Sequence, residues 1–299
     1  MVLAFAFFTN PILVLFHDGN NEGLLVLMLM GMLALLQRSR YMSAAIVLGV
    51  ATAIKGIPGI FFILFVRRRL WKPLFAGLAI AGALNGLALL TFKDPVNISL
   101  MKWEYEALVL RQFWAWGPDL TDCGISLFGP VRNVALSLAK LTSEDLRTFE
   151  TLYIFFGAAA LFAVCWYVVV KKGLQLWQEM FLLVGAMIVF PTVSGDYKAL
   201  DFLIPTMLFL KRTDVRWNGL WKLSDRAWCW ILLALLALVL GCLPSQKFRV
   251  YSTWCFMLAI MWISAAAKTA TQEEPAWQPA PSPSKLDPNE PPCVPNPEP

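Results

Sequence analysis

The chain alternates between long apolar runs and short polar turns. Nine runs stand out, at positions 2–16, 23–36, 42–66, 73–92, 151–170, 176–190, 199–210, 228–243 and 250–267. Most match the length a helix needs to cross a hydrocarbon core, where only helices and closed barrels satisfy their own backbone hydrogen bonds. The pattern predicts an all-α, polytopic transmembrane helical bundle over residues 1–270. A polar stretch at 93–150 interrupts the series after the fourth run. From Thr271 onward ten of the last 29 residues are Pro, which predicts a disordered tail over 271–299.

The third run is broken by Lys55-Gly56-Ile57-Pro58. Proline lacks the N–H that a continuous helix needs and clashes with the preceding turn. Two readings stay open, a kinked full span or a re-entrant pair of half-length helices. Charge bears on the choice. Of 25 Lys and Arg, 13 lie in four turns: Arg38/Arg40, Arg67-Arg68-Arg69/Lys72, Lys171/Lys172, and the stretch from Lys211 to Arg226. Only Asp214 and Asp225 oppose them there. The positive-inside rule puts all four turns on the cytoplasmic side. The later runs then alternate without conflict, with 93–150, 191–198 and 244–249 outward and the tail inward. A re-entrant third run lets the first two basic turns share a side, and the turn at 17–22 then also faces outward.

Composition narrows the class. The 299 residues are 58% hydrophobic and 15% charged, with mean hydropathy +0.61, far from the balance of soluble domains. A cytosolic enzyme, a secreted disulfide scaffold and a disordered regulator are excluded. The 13 Trp and 21 Phe suit aromatic belts. The net charge of +5 sits in topology-setting turns, so nucleic acid is not an expected partner; membrane lipid is. The six Cys share no metal-type spacing and read as small buried hydrophobes, although a bridge between Cys242 and Cys255 is conceivable. With His17 the one histidine, no metal site is expected. Neither a P-loop nor a Rossmann glycine pattern is present, and no cofactor is expected. The first run has no basic segment before it, so it reads as a membrane helix of a chain that starts late rather than a cleaved signal.

Candidate chemistry gathers on the outward turns. In His17-Asp18-Gly19-Asn20-Asn21-Glu22 two carboxylates stand four residues apart. If Asp18 opened the next helix, Asp18 and Glu22 would share its face, placed to act as general base toward an acceptor hydroxyl. The plainer reading is a solvated acid and an N-cap. Lys55 lies eight to ten residues from either end of its apolar stretch, where an ionisable group implies a partner or a function. A lipid phosphate or a carboxylate such as Asp201 would suit it, and so would snorkelling to the surface. The 93–150 stretch carries six basic and eight acidic residues. Its Trp116, like Trp103 and Trp114, fits either sugar stacking or interfacial anchoring. Asp196, Tyr197 and Lys198, on the short 191–198 turn, are further candidate ligand contacts.

Several of these stretches carry a resemblance. Asn10-Pro11-Ile12 is followed by Gly19-Asn20-Asn21-Glu22-Gly23, an apolar helix, Arg38-Ser39-Arg40, and then Gly49-Val50-Ala51-Thr52-Ala53-Ile54-Lys55-Gly56-Ile57-Pro58 ahead of Arg67-Arg68-Arg69. Trp116-Gly117, Gly124-Ile125-Ser126 and the stretch from Pro191 through Ser194-Gly195-Asp196-Tyr197 to Ile204-Pro205 continue it. Over residues 5 to 210 this resembles the GT-C membrane glycosyltransferases, and among them glycosyltransferase family 87 and related polyprenol-phosphate-mannose-dependent mannosyltransferases. The resemblance implies a polyprenyl-phosphate-linked sugar donor, a lipid or glycan acceptor, inversion at the anomeric carbon, and an active site on the non-cytoplasmic face of a cell (inner) membrane or endoplasmic reticulum membrane. Taken with the spacing above, Asp18 and Glu22 are the catalytic candidates, secondary ones on the resemblance, while Lys55 and Lys198 contact the donor phosphate, and His17, Asn20, Trp116, Asp196 and Tyr197 contact substrate. Two features depart from the family. Its turn carries Gln, then Asn or Asp, where Asn20 and Glu22 stand here. Its N-terminal helices, with the outward loop bearing the usual base, have no counterpart, which implies a truncated chain or one that no longer catalyses. The competing reading is a non-catalytic membrane subunit or lipid carrier, with a transporter third.

Overall fold

The computed structural model describes residues 21–91, 95–102, 104, 105, 109, 126–139, 143–192, 194, 196–211, 231, 235 and 246–266, and these residues are helical and turn structure without strands. The α-helices used below are α1 (Glu22–Gln37), α2 (Tyr41–Ile54), α3 (Ile63–Arg67), α4 (Trp71–Thr91), α5 (Phe128–Ala139), α6 (Ser143–Val170), α7 (Leu176–Val189), α8 (Leu203–Lys211) and α9 (Gln246–Ala266). Two 3-10 segments, Ile57–Phe62 and Asp196–Phe202, lead into α3 and α8. The runs at 2–16 and 228–243, apart from Ile231 and Leu235, and the tail at 271–299 lie outside the described residues.

α7 is the centre of the bundle. Every residue from Trp177 to Val189 is buried, against α6, α8, α9 and the second 3-10 segment. α4 and α6 are its opposite. Residues 71–91 and 148–170 are long and apolar enough to cross a membrane. Leu87, Leu90, Phe155, Phe162 and Trp166 on them are 59 to 71% exposed. Rows of Phe, Trp and Leu this open in water would aggregate, so these faces meet lipid.

The third run turns back on itself. α2 stops at Ile54, Lys55 is extended (φ −152°), and the chain re-enters through the 3-10 turns of Ile57–Phe62. Gly77 of α4 shows the direction of return. A Cβ there would lie 2.7 Å from the Ala45 carbonyl oxygen of α2 and 2.6 Å from the Phe62 ring, so the chain at Phe62 is level again with the second turn of α2. Further along, a Cβ on Gly49 would lie 2.5 Å from the Gly77 carbonyl oxygen and 3.2 Å from Ile80 Cβ. Residues 45 to 49 therefore run alongside 77 to 80 in the same sense, and α2 and α4 are parallel. A full crossing would have made them antiparallel. The lengths agree: α2 rises about 21 Å and the 3-10 segment with α3 returns about 20 Å.

Small residues make this packing possible. Ala45 and Gly49 face Gly77, so the two backbones approach as small-residue stripes allow in membrane helices. Gly77→Ala is expected to lower the melting temperature in detergent by several degrees, because backbone carbonyl and ring must both yield, an overpacking cost of about 1–3 kcal/mol. Gly82→Ala in the same helix meets nothing within 4 Å and is expected to hold or raise it. Equal behaviour of the two variants in a thermal melt would refute the close approach.

The basic turns gather at the end where α2 begins. Ser39 (φ 58°) and Arg69 (φ 55°) take left-handed conformations. Each turn closes with a bond from the next N–H five residues back, Arg40 to Leu35 O (2.9 Å) and Leu70 to Phe65 O (2.9 Å), the Schellman pattern. Arg67 donates to the Val168 carbonyl, to Lys171 O (2.9 Å) and to Leu174 O (3.3 Å), at and just beyond the C-terminus of α6. Its Nε also meets Glu179 Oε1 at 2.7 Å, while Arg68 meets Oε2 at 2.9 Å. One buried carboxylate thus locks the turn after α3 onto α7. Charge patterning along the sequence reads these arginines as topology signals alone.

The polar stretch at 93–150 contains structure that hydropathy does not signal. α5 lies within it, and α6 starts at Ser143, eight residues before the apolar run at 151. Leu127 N–H donates to Val189 O (2.8 Å) and Phe128 packs edge-on against Tyr153 (4.9 Å). This hangs α5 over the end of α7 remote from the basic turns.

Candidate functional site

Antiparallel geometry across the tight 38–40 turn carries the start of α1 to the same remote end as the tip of α2. Glu22 is the first residue of α1, preceded by Asn21 without a side-chain cap, and an acid there suits the positive end of the helix dipole. It is not a solvated acid: its relative exposure is 4%. Its Oε2 is ion-paired with Lys55 Nζ at the C-cap of α2. The helix break explains the lysine. Ending α2 at Ile54 turns Lys55 out of a helical row and toward the start of α1.

The second 3-10 segment adds two charges. α7 ends at the same level, and Asp196–Phe202 folds back before α8 descends. Lys198 and Asp201 on it are both buried, at 4% and 1% exposure. Both feel the charges of Glu22 and Lys55. Among the described residues no hydrogen bond or ion pair engages the Lys198 ammonium. Burial and the nearby Lys55 pull its pKa down to about 8, against the opposing pull of Glu22 and Asp201. Neither carboxylate oxygen of Asp201 has a hydrogen-bond donor among the described residues. Asp201 lies near enough to the Glu22 carboxyl to feel its charge. Ser194, just before this segment, is buried with its hydroxyl also unmatched among the described residues.

Three of the residues singled out from sequence therefore meet: Glu22, Lys55 and Lys198. Asp196 and Tyr197 lie on the same 3-10 segment as Lys198. His17, Asp18, Asn20 and Trp116 lie outside the described residues. Asp201 completes the cluster, although the sequence suggested it only as a counter-charge for Lys55. An ionisable residue inside an apolar run is the signal that points to it. No group of three or more His, Cys, Asp or Glu able to hold a metal occurs among the described residues.

Two ammonium groups and two carboxyls gathered in one largely buried cluster have the chemistry to bind an anion and accept a proton. The Lys55–Glu22 pair is already formed. Lys198 is the cation an incoming anion would stabilise most, because a buried ammonium without a direct partner among the described residues is costly to keep.

The sequence model described as glycosyltransferase family 87 matches residues 1–195 of the chain, more than half of its length and ending three residues before Lys198. No curated protein matches the chain, nor does any solved structure.

Proposed function

The chain belongs to glycosyltransferase family 87, a membrane glycosyltransferase with sugar donor and acceptor substrates, and on that premise we propose that it moves a mannose-type sugar from a polyprenyl-phosphate donor to a lipid or glycan acceptor. The observation that carries this reading is the buried ammonium of Lys198, with no direct partner among the described residues, beside the Glu22–Lys55 pair. The donor phosphate sits against Lys198 and Lys55, with its polyprenyl chain in the bilayer beside the apolar faces of the bundle. The acceptor oxygen attacks the anomeric carbon from the side opposite the phosphate, with inversion. As that bond forms, the bond from the anomeric carbon to the phosphate oxygen breaks, and its electron pair leaves on polyprenyl phosphate. The acceptor proton passes to the Glu22 carboxylate. The two lysines stabilise the charge that develops on the leaving phosphate, where fixed cations in a dry site act most strongly.

The reading places the reaction on the non-cytoplasmic face of a cell (inner) membrane or endoplasmic reticulum membrane. Arg38, Arg40, Arg67, Arg68, Arg69, Lys72, Lys171 and Lys172 gather at the opposite end of the bundle, and positive turns stay in the cytoplasm.

The test is a transfer assay with the full chain in liposomes. Radiolabelled polyprenyl-phosphate-mannose is expected to label lipid or glycan acceptors, and a nucleotide sugar is not. Equal use of the nucleotide sugar would overturn the donor assignment. Saturable donor binding without transfer would favour the lipid-carrier reading instead.

A further inference from the structure

Resting on the reading of this cluster as the transfer site, we infer that Asp201 is the residue that reads the sugar. Its two carboxyl oxygens accept hydrogen bonds from two adjacent ring hydroxyls of the donor whose phosphate sits on Lys198. The described residues include four buried acids, Glu22, Glu150, Glu179 and Asp201, each 1 to 4% exposed. The protein satisfies three of them. Arg67 and Arg68 take the two oxygens of Glu179, Lys55 pairs with Glu22, and Glu150 is engaged as well. Asp201 is the exception, with both oxygens buried and no donor for either among the described residues. Folded proteins leave few buried acceptors unmatched, because each costs stability. A fold that seats Glu179 between two arginines can satisfy a buried acid, so the unmet oxygens of Asp201 point to a ligand that brings donors.

The register of the segment says what kind of ligand. Lys198 and Asp201 stand three residues apart in the 3-10 segment Asp196–Phe202. Side chains at that spacing eclipse on one face, one turn or about 6 Å apart along the axis. Both are buried, yet among the described residues no ion pair joins them. α1, which Glu22 opens, packs on the same segment. A ligand spanning the two therefore carries acceptor oxygens at its Lys198 end and donors at its Asp201 end. A sugar phosphate is built that way, with the phosphate on the anomeric carbon and hydroxyls farther round the ring. One carboxyl can accept from hydroxyls on two neighbouring ring carbons at once, which fixes the ring's orientation as well as its presence. Ser194, four residues before Lys198, adds another buried polar group, its hydroxyl unmatched among the described residues, to the same short stretch. A site built to bind a substrate hydroxyl rejects the analogue lacking it, since its own buried polar group is then left unpaired.

The experiment uses the full chain in liposomes, with polyprenyl-phosphate-mannose and a set of deoxy donors that each lack one ring hydroxyl. In wild type, loss of either of two adjacent hydroxyls is expected to lower kcat/KM about a hundredfold, and loss of the others less than about threefold. Asp201→Ala is expected to lower kcat/KM for the intact donor about a hundredfold and to use every deoxy donor within about threefold of the intact one. Asp201→Asn keeps one acceptor oxygen and is expected to fall between. A melt without substrate guards against a structural role: Asp201→Asn is expected to melt no lower than wild type in detergent, because the acid has no donor to lose. Deoxy donors that penalise wild type and Asp201→Ala equally overturn the inference. So does a coupling confined to one hydroxyl, or an Asn variant that melts several degrees lower. Wild type that transfers from no polyprenyl-phosphate sugar overturns the functional reading and this assignment with it, whereas full transfer without coupling to Asp201 overturns the assignment alone.

Discussion

Lys198→Met is expected to raise the KM for a polyprenyl-phosphate sugar about a hundredfold and to lower kcat much less. Met keeps the length and apolar body of the lysine and removes only the charge. A charge-assisted contact to phosphate in a dry site contributes about 2–5 kcal/mol when one partner is truncated, and a hundredfold change falls inside that range. The empty protein should respond in the opposite direction. A buried ammonium with no direct partner among the described residues costs desolvation, so the same variant is expected to melt higher in detergent. pH gives an independent check. Lys198 releases its proton at about 8 in the folded chain, while an unfolded lysine holds it to about 10.4. Between those values the unfolded state binds more protons, so stability of the empty protein rises with pH across that window. Donor use falls over the same window, because the neutral amine no longer attracts phosphate. Both effects should vanish in the Met variant. A Met variant with wild-type KM, or a donor-binding profile flat from pH 7 to 9, would remove Lys198 from the phosphate site.

Some of this arrangement is legible in the sequence. Lys55 stands out as an ionisable group deep in an apolar run, where charge is expensive, Glu22 as one of two carboxylates four residues apart on an outward turn, and Lys198 as a charge on the short 191–198 turn. What the sequence could not carry was their meeting, across 33 residues from Glu22 to Lys55 and 143 from Lys55 to Lys198. That depends on the tight turn at Ser39 and on the path after Ile54. The break at Lys55-Gly56-Ile57-Pro58 was readable from proline chemistry. Its direction was not, since the return is fixed by the contact of Gly77 with Ala45 and Phe62, a tertiary event. Charge counting favoured the return because it let the two basic turns share a side. The apolar run at 199–210 hid a change of structure. Its first four residues belong to the 3-10 segment rather than to α8, and this brings Asp201 to the level of Lys198. α5 escaped notice for a different reason. It is amphipathic rather than apolar, with Asn133 and the buried Arg132 among its residues, so a search for apolar runs passes over it.

Glu22→Gln is expected to do what Lys198→Met does not: lower kcat at least a hundredfold while the donor KM stays level or falls. General-base contributions of 10² to 10⁴ are typical, and losing one negative charge leaves both lysines freer for phosphate. The difficulty is structural, because Gln also removes the carboxylate that Lys55 pairs with, and breaking a buried pair costs about 3–5 kcal/mol. The pair is only partly buried here, with the Lys55 side chain 24% exposed, so the cost falls below that range. A double variant separates the two effects. Glu22→Gln with Lys55→Gln removes both charges and is expected to restore thermal stability, since a neutral amide pair can hydrogen-bond across the same gap. It is not expected to restore kcat, since no base has been returned. If the double variant recovers activity along with stability, Glu22 serves only to hold Lys55 in place. If Glu22→Gln alone keeps kcat within tenfold of wild type, the acceptor proton goes elsewhere. The contrast between the two positions then carries the mechanism: a KM effect at Lys198 and a kcat effect at Glu22 assign phosphate binding and proton removal to the two sides of one buried cluster.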